Sequence, residues 1–182
     1  MTSTPFLTEM LKKAPPPPKP RRGADSWQQV FIDLGTPLPV DYVAFINKYG
    51  SCQFASFLGI GDPRDSNEST YHQAWCDFGD RYRARKNEFP EFHPLAAWPD
   101  PGGFLGWGND IDGNWYGWAT EGEPNHWPTA VWGRQRRDEI IGHIPMTEFL
   151  SGWLSSPPKF NDLPDLSNED DDTPNQITCT PW

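Results

Sequence analysis

The sequence predicts an α+β fold, a single domain with a central antiparallel β-sheet flanked by helices. Three observations lead there. Two short amphipathic segments joined by a proline turn open the central part of the chain. Between His93 and Pro145 a series of short apolar runs follows, separated by Gly, Pro, Asn and Asp, and strands in series with short connections pair antiparallel. The composition then says what fills the interior: only 36% of the 182 residues are hydrophobic, yet 10 are Trp and 11 are Phe. A disordered chain is poor in aromatics, so the middle of this one folds around large rings.

The elements follow in order. Asp25 or Ser26 caps a helix through WQQVFIDLG, with Trp27, Val30, Phe31 and Leu34 at helical spacing and Gly35 where a left-handed C-terminal cap is wanted. TPLP turns the chain, and a second helix, DYVAFINKYG, runs to Gly50. FASFLGIG, residues 54 to 61, reads as a strand. A third helix spans ESTYHQAWCDFGDRYRARKNEF, where Tyr71, Trp75, Phe78 and Tyr82 form one continuous face interrupted only by Gly79. HPLAAWP, FLGWGND, NWYGWAT and TAVWGRQRR are successive strands, RDEIIGHIP adds another, and Pro145 opens a closing helix, MTEFLSGWLS.

Composition also divides the chain. Residues 1–23 carry five Lys or Arg against Glu9 and run into APPPPKPRR, so a flexible, proline-rich basic arm is expected, either a linker or a proline-groove ligand. Residues 24–156 form the folded body, with a net charge of -9. Residues 157–182 hold six acids and one lysine and are expected to be a mostly disordered acidic tail. A net charge of -10 repels phosphate and argues against nucleic acid, while it favours basic partners. Three cysteines, Cys52, Cys76 and Cys179, make neither a disulfide framework nor a zinc site, and reduced thiols in the cytoplasm fit them. The N-terminus lacks a signal-peptide pattern, and no run has the length of a membrane span.

The richest stretch is GNDIDGNWYGWATEGEPNHWP, residues 108–128. As a calcium loop with Gly113 at position 6, it places Gly108 at position 1 and Ala119 at position 12, so two anchoring ligands are missing and no metal is expected. As a hairpin, Asp112-Gly113-Asn114 is a tight-turn signal between two aromatic runs. Trp115 and Gly117 then point to one face, Tyr116 and Trp118 to the other. A sugar-binding face would use Trp107, Trp115, Trp118, Trp127 and Trp132 beside Asp110, Asp112 and Glu121. Rings filling an aliphatic-poor core account for the same residues more simply. No nucleophile, metal-protease, phosphate-loop, dinucleotide or deaminase motif is present, so neither catalysis nor a cofactor is expected.

Trp27, Leu34-Gly35, Leu38-Pro39, Asp41-Tyr42, Phe45 and Tyr49-Gly50 together resemble the opening signature of the SUKH superfamily. WYGWATEGEPNHWPTAVW, residues 115–132, which includes Trp127, resembles its central strand-and-loop block, and PMTEFLSGWL its closing helix. The resemblance covers residues 24–156. It implies an antiparallel sheet flanked by helices and a non-enzymatic role. Family members include fungal cell-wall-assembly regulators that confer killer-toxin resistance, and bacterial immunity proteins that neutralise a cognate toxin in the cytoplasm. The function expected is therefore binding of a basic toxin domain, with Asp110, Asp112, Trp115, Trp118, Glu121 and Glu123 as contact residues and no small-molecule ligand. The other readings are a regulatory scaffold acting through the arm and tail, and a carbohydrate-binding module.

Overall fold

The computed structural model describes residues 5–65, 71–155, 157–160, 163–164 and 177–182. Among the described residues it is an α+β domain with five α-helices and one eight-stranded sheet. In chain order the elements are α1 (Pro5–Lys13), α2 (Trp27–Leu34), α3 (Val40–Tyr49), β1 (Cys52–Phe54), β2 (Leu58–Ile60), α4 (Tyr71–Glu88), β3 (Ala96–Ala97), β4 (Gly103–Asp110), β5 (Trp115–Ala119), β6 (Thr129–Trp132), β7 (Glu139–Gly142), α5 (Met146–Trp153) and β8 (Cys179–Pro181). The sheet order is β7-β6-β5-β4-β2-β1-β8, with β3 beside the start of β4.

The helix boundaries sit where the capping residues put them. Ser26 Oγ accepts from Gln29 N at 3.1 Å, and Gly35 closes α2 at φ 72°, a conformation that a residue with a Cβ rarely adopts. On α4, Trp75, Phe78 and Tyr82 are buried along the expected face. Gly79 has a packing reason: a Cβ there would lie 2.3 Å from the Trp98 carbonyl oxygen, so the glycine lets the 96–99 segment cross the helix.

Alternation along β5 sorts the core into two layers. Trp115 faces α4, 5.3 Å from Trp75 and 5.4 Å from Phe78. Tyr116 and Trp118 face the opposite layer, where Tyr116 lies 5.9 Å from Phe149 of α5 and Trp118 meets Tyr42 of α3 edge-on at 5.2 Å. A bulge in β4 between Gly106 and Gly108 carries Trp107 into that second layer, 5.8 Å from Tyr116 and 6.2 Å from Phe149. Of the five tryptophans read from sequence as core, Trp107, Trp118 and Trp127 are buried, while Trp115 and Trp132 are partly buried and pack against the core.

Four features differ from the sequence expectation. The run 54–61 is two strands, because Ala55 and Ser56 take φ of 51° and 53° and Phe57 N donates to Phe54 O, folding it into a hairpin. No Gly, Asn or Asp marks that turn. HPLAAWP yields only the two residues of β3, and these pair parallel to β4.

The first 23 residues are not a free arm from residue 5 onward. Leu7, Met10 and Ala14 are buried, Ser151 Oγ of α5 donates to Glu9 Oε2 at 3.0 Å, and Tyr49 Oη donates to Ala14 O at 2.8 Å. Arg21 then bridges to Ser51. A Cβ on Gly50 would stand 2.0 Å from Arg21 O, so the glycine that ends α3 also admits the arm.

Finally, the tail returns as β8, antiparallel to β1 with Gln53 opposite Thr180. The acidic stretch 165–176, the core of the expected disordered tail, lies outside the described residues, as do 66–70.

Candidate functional site

The β4–β5 hairpin is held by one carboxylate. Asp110 Oδ1 accepts from Asn114 N at 2.9 Å, and Oδ2 accepts from Asn114 Nδ2 and from Tyr116 Oη, each at 2.9 Å. The backbone closes the same loop through Asp110 N to Asn114 O and Gly113 N to Asp110 O, with Gly113 at φ 85°. Asp110 is 3% exposed, and its oxygens are committed to the turn. Among the described residues no three His, Cys, Asp or Glu side chains cluster as metal ligands.

The six residues expected to contact a partner do not form one patch. Asp110 and Trp118 are inside, Trp118 at 1% exposure, so burial withdraws both from any surface. Trp115 is half-buried under α4. Asp112 is exposed at the hairpin tip beside Ile111, which is 66% exposed. Glu121 and Glu123 are exposed at the far end of β5, and a five-residue strand between the two ends spans roughly 16 Å. At that far end Val40, at the start of α3, is 64% exposed, and its N–H donates to Asn125 Oδ1 at 2.9 Å. The second end therefore combines two acids, an amide and an apolar side chain. Glu121, Glu123 and Asp112 have no ion-pair partner among the described residues.

A second feature had no sequence signal, since it depends on what packs beside β4. One edge of β4 is covered by β2 over Gly108–Asp110 and by β3 over Gly103–Phe104, leaving 105–107 without a strand beside them among the described residues. Tyr71 Oη fills part of the gap, donating to Gly106 O at 2.6 Å. Against it lies a cavity of about 260 Å³ lined by Tyr71, Trp75, Arg81, Asn109, Trp115 and Trp182, among others.

Buried polar groups elsewhere serve the fold. Asp41 Oδ2 accepts from Thr147 N at 3.0 Å and Thr147 Oγ1 at 3.1 Å, tying α3 to the first turn of α5. Burial pushes the Asp41 carboxyl above its ordinary range, against the pull of those donors. Asp138 holds Tyr82 Oη at 2.6 Å and faces His93 Nδ1 at 3.0 Å. Burial raises its carboxyl too. His93 and Asp138 are both buried, so this trio ties α4 to the segments that lead into β3 and β7.

A family model described as SMI1-KNR4 cell-wall (SUKH_6) matches residues 25–149. The chain belongs to that family. No curated protein and no solved structure matches it. The residues that carry the SUKH signature prove to be those that build the helical layer and its caps. Leu34, Leu38, Tyr42 and Phe45 are buried, Asp41 anchors α5, and Gly35 and Gly50 end their helices. Pro39 is buried at the start of α3, and Trp27 donates its indole N–H to Asn47 Oδ1 at 3.0 Å. Trp127 donates its indole N–H to Gly122 O at 3.0 Å and packs 6.1 Å from Trp118, which fixes the loop bearing Glu121 and Glu123. No helix among the described residues is long and apolar enough to cross a membrane.

Proposed function

We propose that this protein is a cytoplasmic, non-enzymatic binding protein of the immunity type, which docks on a basic toxin domain and blocks it. The observation that carries this reading is membership of the SUKH family over residues 25–149. The acidity of the chain, -10 overall, supports it, because a negative surface complements a toxin that grips phosphate. In this reading the contact surface is the Glu121–Glu123 loop with Val40 and Asn125, where acids with no ion-pair partner among the described residues sit beside an exposed aliphatic side chain. In such an interface the acids speed encounter and the apolar contact slows release.

The test is a pull-down with the purified chain from its own cells, followed by the pair E121K/E123K. The reading expects a basic toxin domain, often encoded beside this gene, and at least about tenfold weaker capture by the charge-reversed form. Recovery of no toxin, with none encoded nearby, contradicts it. The scaffold reading is kept because residues 5–23 lie against the body with Arg21 and Arg22 exposed. If it holds, reversing Arg21 and Arg22 abolishes function while E121K/E123K has no effect.

A further inference from the structure

We infer that the cavity under α4 is a binding site for a small planar aromatic anion. The inference does not rest on the toxin-binding reading. Four observations lead to it.

The first is how the space arises. LGIGD, residues 58–62, and LGWGN, residues 105–109, bring glycines to adjacent strands. A Cβ on Gly106 would stand 2.0 Å from the Trp75 ring, and one on Gly59 would stand 3.2 Å from the ring of Trp182. Two indoles are thus seated on glycine pads, and the floor between them carries no side chain from Gly61 or Gly108. The second is shape. Trp75 and Trp115 meet edge-to-face at 86° and 5.3 Å, so together they present a flat face and an edge to a ring lying against the pair. Trp182, 51% exposed, forms an outer wall. At about 260 Å³ the space lies just under the ~300–1,000 Å³ of drug-sized sites, so it takes one ring system.

The third is charge. Aromatic walls alone would also suit a cation. Here the charges decide. Asp62, the acid that lines the cavity, is taken by Arg64 at 2.7 Å and by Gly23 N at 3.0 Å. Arg81 lines the same space and has no ion pair among the described residues, so it repels a cation and welcomes an anion. The fourth is the hydrogen-bonding group. Asn109 also lines the cavity, on the sheet face of its cross-strand partner Trp115, and its side chain has no partner among the described residues, leaving a donor and an acceptor for a ring edge. Mostly apolar walls with a few convergent polar groups are the pattern of a small-molecule site. The anionic group would be a carboxylate or a phosphate, and either satisfies Arg81.

The experiment titrates the full chain, labelled on its indole N–H groups, with indole-3-acetate and separately with adenosine monophosphate. Indole, adenosine and tryptamine serve as the neutral and cationic counterparts. The expected result is saturable shifts of the Trp75, Trp115 and Trp182 resonances with at least one of the two anions, and which arm responds identifies a carboxylate or a phosphate source. The matching neutral compound should bind at least about tenfold more weakly. Arg81→Gln, an exposed position, should keep the melting temperature and lose about tenfold in affinity. Ala74→Phe, at the exposed mouth, should block binding by filling the entrance. No saturation by either anion up to about 10 mM overturns the inference. So does tryptamine binding as tightly as the anion, or Arg81→Gln binding as tightly as the natural chain.

Discussion

Asp110 and Asp112 stand two residues apart in the sequence and do opposite things. The first closes the hairpin through three hydrogen bonds, and the second faces water. Asp110→Ala removes the acceptor of the Asn114 amide and of the Tyr116 hydroxyl at the turn and is expected to cost about 2–3 kcal/mol, read as a drop in denaturation midpoint. Asp112→Ala is expected to stay within about 0.5 kcal/mol. Equal costs would mean that the turn is not held by Asp110. At Gly106 the steric case is as sharp. An alanine methyl pushed into the Trp75 ring should cost about 1–3 kcal/mol, and an unchanged midpoint would show that Trp75 is not seated there.

Asp41 gives a pH test. Its folded carboxyl is raised by burial, so the native state holds a proton that the unfolded chain has released. Its contribution is therefore fully present below the unfolded value and is lost as pH rises through the folded one. The stability of the natural chain minus that of Asp41→Asn, which keeps an oxygen for Thr147, should fall from pH 4 to pH 7. A value that rises with pH contradicts this account of Asp41.

At the scale of elements, what was legible in the sequence was whatever is decided locally. Ser26, Gly35 and Gly50 set helix ends by their own chemistry, and the four-three-four spacing on α4 gave its buried face. What escaped was decided by distant partners. The turn at Ala55 and Ser56 is imposed by pairing of β1 with both β2 and β8. The proline-rich arm reads as a linker because its prolines say nothing about where Leu7 and Met10 go, and these are buried against α5. The candidate contact residues show the same limit. Proximity along a chain suggested one patch, but a strand carries its two ends apart, and alternation sends Trp118 inside. Removing residues 1–13 tests the arm directly. Burial of a side chain such as Leu7 or Met10 is worth about 1.5–3 kcal/mol each, so the truncated chain should melt well below the full one. An unchanged melt would mean that α1 does not pack.

At the scale of the whole molecule, charge is unevenly spent. Asp41, Asp62, Asp110 and Asp138 are buried and occupied with internal donors, so they add little to what a partner meets. The outward field comes from exposed acids such as Asp112, Glu121 and Glu123. Salt screens such a field over about 8 Å at physiological ionic strength, which makes ionic strength the natural lever on binding. The most direct measurement is therefore a calorimetric titration of the full chain against the basic toxin domain that the proposed function requires, at about 50 and 200 mM salt, with the toxin's activity followed in parallel. A 1:1 complex that weakens with salt and silences the toxin is expected. A toxin that stays active in saturating amounts of this protein, or an affinity indifferent to salt, would contradict it.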